Sequence, residues 1–122
     1  MMLPLAAPKH VYVHVPFCRR RCSYCDFAIA VRRTVPVREF IDSLVREIEV
    51  RYPDESPRDI ATLYLGGGTP SSLGGDGVAR LLDRLRARFR FDHRAEVTLE
   101  ANPEDVTIDT VAAWRAAGVN RL

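Results

Sequence analysis

The sequence predicts an α/β fold on a parallel sheet, a (βα)3 run in which strand and helix alternate. Three observations carry this. Apolar residues alternate with polar ones over residues 10–15, 60–65 and 95–101, the period of a strand. Apolar stripes with helical spacing occupy 37–52, about 75–89 and 108–117. Each helical stretch is long enough for a right-handed crossover between parallel neighbours.

Taken in order, residues 1–9 form a short leader with prolines at Pro4 and Pro8. In the first strand Val11, Val13 and Val15 point one way and Tyr12 and His14 the other, and Pro16 ends it. Residues 27–33 show no clear period. Pro36 suits the start of a helix, whose buried stripe is Val37, Phe40, Ile41, Leu44, Val45 and Ile48. Pro53 and Pro57 bracket a loop. The second strand is broken abruptly by Gly66-Gly67-Gly68-Thr69-Pro70-Ser71. Val78, Leu81, Leu82, Leu85 and Phe89 are expected on one face of the second helix, which starts near Gly75 or Asp76. The third strand closes at Asn102-Pro103, and Gly118 stops the third helix. Residues 119–122 have the pattern of an approach to another strand.

Each strand has an aliphatic face (Val11/Val13/Val15, Ala61/Leu63/Leu65, Val97/Leu99/Ala101) and a polar one (Tyr12/His14, Thr62/Tyr64, Glu96/Thr98/Glu100). A parallel sheet covered by helices on both sides would be apolar on both. The polar face therefore predicts a sheet lining a wet or ligand-filled cavity, as in an open barrel. Exposure of that face to bulk solvent is the alternative.

The composition, 47% apolar with a formal charge of +2, fits a globular chain of one small domain. No apolar run is long enough to cross a bilayer. Lys9 is the only lysine, and the densest basic spot is Arg19-Arg20-Arg21, which is narrower than the basic face that nucleic-acid binding recruits. There is no cationic n-region followed by an apolar h-region, so a cytoplasmic protein with reduced thiols is expected.

All three cysteines fall within eight residues, as Cys18-x3-Cys22-x2-Cys25. Three thiolates on one loop can hold three irons of a cubane cluster and leave the fourth open to bind a small molecule. Zinc would want a fourth ligand; His14 precedes the cysteines on the strand, and there is no second C-x2-C pair. A disulfide would leave one cysteine over. Three unrelated buried cysteines fit poorly with their polar Arg and Ser neighbours. An iron–sulfur site is the favoured reading, and the arginines beside it would offset a cluster's negative charge.

The glycine run lacks the lysine and the spacing of a phosphate loop. Three glycines instead allow backbone groups to approach a ligand closely, which suits an amino-acid-like molecule; an ordinary flexible turn is the alternative. The cysteine loop, the glycine run and Glu100-Ala101-Asn102-Pro103 each follow a strand. Parallel topology places all three on one rim, where α/β sites gather.

At these residues the sequence resembles the radical S-adenosylmethionine (SAM) superfamily: Cys18-x3-Cys22-x2-Cys25 with an aromatic Tyr24 before the last cysteine, and Gly66-Gly67-Gly68-Thr69-Pro70 as its glycine-rich segment. Tyr12-Val-His14-Val-Pro16-Phe17-Cys18, the GGGTPS run and Glu100-Ala-Asn102-Pro103-Glu104 are similar to the oxygen-independent coproporphyrinogen III oxidase group. The oxidases carry a further cysteine two residues after the third, where this chain has Phe27, and a longer segment before the cluster. Both departures resemble the HemW branch of haem chaperones.

The resemblance implies a (β/α)6 TIM-like barrel, with residues 10–122 the N-terminal part of its core. It implies a [4Fe–4S] cluster on Cys18, Cys22 and Cys25, SAM on its open iron, and reductive cleavage of SAM to a 5′-deoxyadenosyl radical. Backbone at Tyr24 would meet the adenine, Gly67 and Gly68 the methionine ammonium, and Glu100 a polar part of SAM, with Phe27 and Thr69 in the same cofactor-binding set. Tyr12 and His14 would lie beneath the cluster, in catalytic positions with Glu100. Implied partners are a tetrapyrrole (haem or porphyrinogen), a reductant such as flavodoxin or ferredoxin, and a haem acceptor. Three functions stand side by side: haem transfer, porphyrinogen decarboxylation, and simple electron carriage, which would need neither the glycine run nor Glu100.

Overall fold

Alternation and helical stripe resolve into β1 (His10–Val15), β2 (Phe17–Cys18), β3 (Ala30–Val31), α1 (Val37–Arg51), β4 (Arg58–Gly67), α2 (Gly74–Arg86), β5 (Phe89–Leu99) and α3 (Ile108–Ala117). Short 3-10 turns at Pro70–Leu73 and Pro103–Asp105 lead into α2 and α3. The computed structural model describes residues 9–18, 30–31 and 34–122, with backbone alone at 30–31. Residues 1–8 of the expected leader at 1–9 lie outside the described residues.

The main sheet has the order β1-β4-β5, and all its pairings are parallel. Register puts Tyr12 beside Tyr64 and Tyr64 beside Thr98, so the polar positions of three strands share one face. On the other face Val13, Val15, Leu63, Leu65, Val97 and Leu99 are buried in one cluster with Ile41 and Ile48 of α1, Val78, Leu81, Leu82 and Leu85 of α2, and Trp114 of α3. Burying each such side chain contributes about 1.5–3 kcal/mol. The helices therefore cover one face only, which explains why the alternation in the sequence is so regular.

Trp114 is 1% exposed and donates its indole N–H to the Gly74 carbonyl at 3.2 Å, tying α3 to the start of α2. A Cβ at Gly75 would lie 2.8 Å from the Ala113 methyl, so the absent side chain permits this approach. Thr107 caps α3 by accepting from the Thr110 amide at 3.1 Å. Gly118 ends the helix at φ 112°, in the left-handed region, as the sequence predicts. Beyond it Arg121 forms a parallel bridge to Thr98, which continues the sheet past β5.

Several expectations need correction. Phe89 is not the last turn of α2 but the first residue of β5, paired with Arg58. It is 3% exposed, and its spacing from Leu85 satisfies a helical stripe as well as a strand, so periodicity could not separate the two. β5 ends at Leu99, two residues before the expected boundary, and it begins six residues earlier than the predicted start at 95, across a register shift between Ile60 and Thr62. The glycine run does not break the second strand abruptly: β4 continues through Gly66 and Gly67, paired to His14 and Val15. The unassigned stretch contains β3, whose parallel pairing with β2 sets Cys18 beside Val31. Thr98, counted on the polar face, is 4% exposed.

Candidate functional site

Parallel pairing carries the ends of β1, β4 and β5 to one rim, and the residues that follow them meet there. The Gly68 amide donates to the Val15 carbonyl at 2.8 Å and the Thr69 amide to the Phe17 carbonyl at 2.8 Å, which lays the glycine segment along the start of the cysteine motif. A Cβ at Gly68 would lie 2.7 Å from the Phe17 carbonyl oxygen and 2.8 Å from the Cys18 sulfur. Only a residue without a side chain fits this approach. The Cys18 thiol is buried, and the Thr69 hydroxyl donates to its sulfur at 3.6 Å.

Gly67 has φ 113°, a conformation that L side chains rarely adopt, and its missing Cβ would sit 2.8 Å from the His14 ring. Its amide donates to Glu100 Oε1 at 2.9 Å. Glu100 is anchored by its backbone as well, donating to the Leu65 carbonyl at 3.0 Å and accepting from the Ser71 amide at 3.2 Å. Around Gly66 three side chains converge: a Cβ there would meet Glu100 Oε1, the Tyr64 ring and the Tyr12 ring, all within 2.9 Å.

The Tyr12 and Tyr64 rings stack with centroids 5.9 Å apart, and the Tyr12 hydroxyl lies 3.3 Å from His14 Nδ1. Tyr12 is 55% exposed on the face the helices leave open. Desolvation, and then the charge of Glu100, hold both phenols above the ordinary tyrosine range. Both therefore stay neutral hydrogen-bonding groups at neutral pH.

Of the residues singled out from the sequence, the structure brings together Tyr12, His14, Cys18, Gly67, Gly68, Thr69 and Glu100. Cys22, Tyr24, Cys25 and Phe27 lie outside the described residues. Among the described residues no set of three His, Cys, Asp or Glu side chains is gathered for a metal. The donor chemistry nonetheless fits a cluster beside SAM. Cys18 offers a soft sulfur ligand next to a backbone cradle that any side chain would fill. Beside it stand the exposed Glu100 carboxylate and the closely approachable backbone of the glycine segment, groups suited to a zwitterionic ligand. A cleft of about 170 Å³ lined by Gly68, Thr69, Pro70, Glu100, Ala101 and Asn102 opens at this point.

Sequence reading did not single out Asp105. The Ser71 hydroxyl, 2% exposed, donates to Asp105 Oδ2 at 2.7 Å and accepts from the Asn102 amide at 3.0 Å. Tyr64 was assigned to the polar face but to no site. Its place directly beside Tyr12 in the register is the signal that pairing the strands would have supplied.

The family described as the Radical SAM superfamily matches residues 12–122. The chain is 38% identical to the heme chaperone HemW of Escherichia coli (strain K12) over 116 residues, covering 94% of this chain and 31% of that protein. It is 42% identical to the heme chaperone HemW of Mycobacterium tuberculosis (strain ATCC 25618 / H37Rv), covering 94% of this chain and 30% of the relative. Among solved structures it is similar to the coproporphyrinogen III oxidase HemN from Escherichia coli, described as a radical SAM enzyme, with a TM-score of 0.84 and 36% identity over 95% of this chain and 27% of that one. The chain thus spans under a third of the length of these relatives. Its parallel three-stranded sheet corresponds to part of that enzyme's fold. With a matched region running from β1 through the bridge at Arg121, the chain belongs to the radical SAM superfamily.

Proposed function

We propose that this chain forms the cluster- and SAM-binding rim of a haem-handling protein, one that binds haem and passes it to an acceptor. The family implies a [4Fe–4S] cluster and SAM. Cys18, Cys22 and Cys25 are the proposed iron ligands, with the Thr69 hydroxyl hydrogen-bonded to the first of them. Gly67 and Gly68 offer backbone groups to the methionine end of SAM, Glu100 accepts from its ammonium, and Tyr24 and Phe27 flank the adenosine. Tyr12 and His14 close the site from the sheet side and limit water. When bound, the cluster supplies the electron that cleaves SAM; the protein's part is binding, orientation and electrostatics.

One observation carries the choice of haem transfer over decarboxylation: Phe27 stands where the oxidase branch has a further cysteine. A phenyl ring neither ligates iron nor exchanges a proton. Residues 10–122 serve as the N-terminal part of the barrel core, in keeping with the share of the relatives they span. A flavodoxin- or ferredoxin-like reductant and a cytoplasmic setting complete the proposal. No helix among the described residues is long and apolar enough to cross a membrane.

The test is a paired assay on the complete, anaerobically reconstituted protein. Haem titration followed by absorbance should saturate, while coproporphyrinogen III incubated with SAM and reductant should be recovered unchanged. Turnover to protoporphyrinogen IX would replace the chaperone reading with the oxidase. A cluster with no affinity for SAM, haem or porphyrinogen would favour the electron carrier.

A further inference from the structure

We infer that Ser71 is a positioning residue that holds Glu100 against the glycine segment, an inference resting on the SAM-site reading only for its consequence in ligand binding. Ser71 is part of the short turn Pro70–Leu73 that follows the glycine run. Its side chain is 2% exposed and is engaged as both donor and acceptor. The hydroxyl donates to Asp105 Oδ2 at 2.7 Å and accepts from the Asn102 amide at 3.0 Å, while its own amide donates to the Glu100 carbonyl at 3.2 Å. One buried serine thus grips the segment after β5 at residues 100, 102 and 105.

That segment is anchored at its far end too. The Thr110 hydroxyl, in the first turn of α3, donates to the Asp105 carbonyl at 2.7 Å. Glu100 itself is exposed, and its carboxylate is placed at the rim by the Gly67 amide at 2.9 Å and by a hydrogen bond with the Tyr64 side chain. An exposed glutamate has several rotamers, and such side-chain hydrogen bonds hold it only while the backbone beneath it is in place. The Leu65 carbonyl holds the Glu100 amide on one side, and Ser71 holds the other, its amide on the Glu100 carbonyl and its hydroxyl on the residues that follow. Removing its hydroxyl leaves the Asn102 amide and a carboxylate oxygen of Asp105 without this partner in a partly buried position, which frees the segment to move. The Gly67 amide then loses a fixed acceptor.

The experiment measures residue-resolved amide hydrogen exchange and SAM affinity of the complete reconstituted protein, in the native form and in Ser71→Ala, Ser71→Thr, Glu100→Ala and Ser71→Ala/Glu100→Ala. The Gly67 amide should exchange about tenfold faster in Ser71→Ala, with the Leu63 and Val97 amides in mid-sheet unchanged. Ser71→Thr, which keeps the hydroxyl, should restore protection. SAM affinity should fall by a similar factor in Ser71→Ala, and Ser71→Ala should cost nothing further once Glu100 is Ala and the acceptor for the Gly67 amide is gone. Unchanged exchange at Gly67, or equal acceleration of every sheet amide, would overturn the inference, as would a full additional loss of SAM affinity in the Glu100→Ala background. Exchange reads the positioning without SAM. Native protein that protects Gly67 through Ser71 yet binds no SAM would refute the SAM-site reading and leave Ser71's role standing.

Discussion

The Gly67 amide and Glu100 Oε1 meet at 2.9 Å, joining the end of β4 to the residue that follows β5. Gly67 holds this place at φ 113°, which glycine adopts freely, with nothing occupying the space beside the His14 ring. Gly67→Ala would bring a methyl to within 2.8 Å of His14 and 2.9 Å of the Val15 carbonyl. It would also cost about 1–2 kcal/mol for the left-handed backbone. SAM affinity measured by calorimetry on reconstituted protein should drop at least tenfold, with iron content near normal. Native affinity would return the glycine segment to the status of an ordinary turn.

Gly68 governs a different contact. A methyl there would press on the Cys18 sulfur and on the Phe17 carbonyl, the latter part of the backbone. Gly68→Ala should therefore lower iron loading itself. Alanine at Cys18, Cys22 or Cys25 should abolish loading, since three ligands leave none spare, whereas native protein should take up about four iron and four sulfide per chain. Iron and sulfide analysis with the visible absorption of the cluster decides it; one tightly bound zinc and no iron would reject the cluster.

The two stacked tyrosines make the site sensitive to alkaline pH. Burial first, then the Glu100 charge, raises the ionisation of Tyr12 and Tyr64 above the ordinary value of about 10. A group raised in the folded state contributes stability that is fully present below the unfolded value and is lost as pH rises through the folded one. Phenolate absorbance should thus show two tyrosines titrating late. Glu100→Gln removes one cause of the rise, so both should move toward the ordinary value. No movement would mean that the carboxylate does not act on the rings.

Trp114 tests the layer behind the site. Trp114→Phe removes the indole donor to Gly74 and part of a buried volume, and should destabilise by about 1–3 kcal/mol in urea unfolding followed by circular dichroism. Because α2 opens directly from the turn that carries Ser71, a weaker α2–α3 contact should also speed exchange at the Gly67 amide. A change in stability with exchange at Gly67 unaltered would show that the core and the rim loop move independently.

The sequence by itself determined whatever is encoded locally. β1 and α3 have the expected bounds, because Pro16 and Gly118 impose their ends through their own backbone chemistry. The cysteine spacing, the glycine run and the acidic residue after β5 were legible because each is a short string with a chemical meaning. Phe89 was misassigned because a buried aromatic four residues after Leu85 satisfies helix and strand alike; pairing with Arg58 decided it. Only the tertiary structure decided that Gly68 touches Cys18, that Glu100 accepts from Gly67 and that Ser71 grips Asp105. These partners lie 50, 33 and 34 residues apart, and they meet because the sheet order β1-β4-β5 brings three strand ends to one rim. Strand order and register are set by burial of the whole aliphatic face against three helices, a cooperative property that no single segment contains.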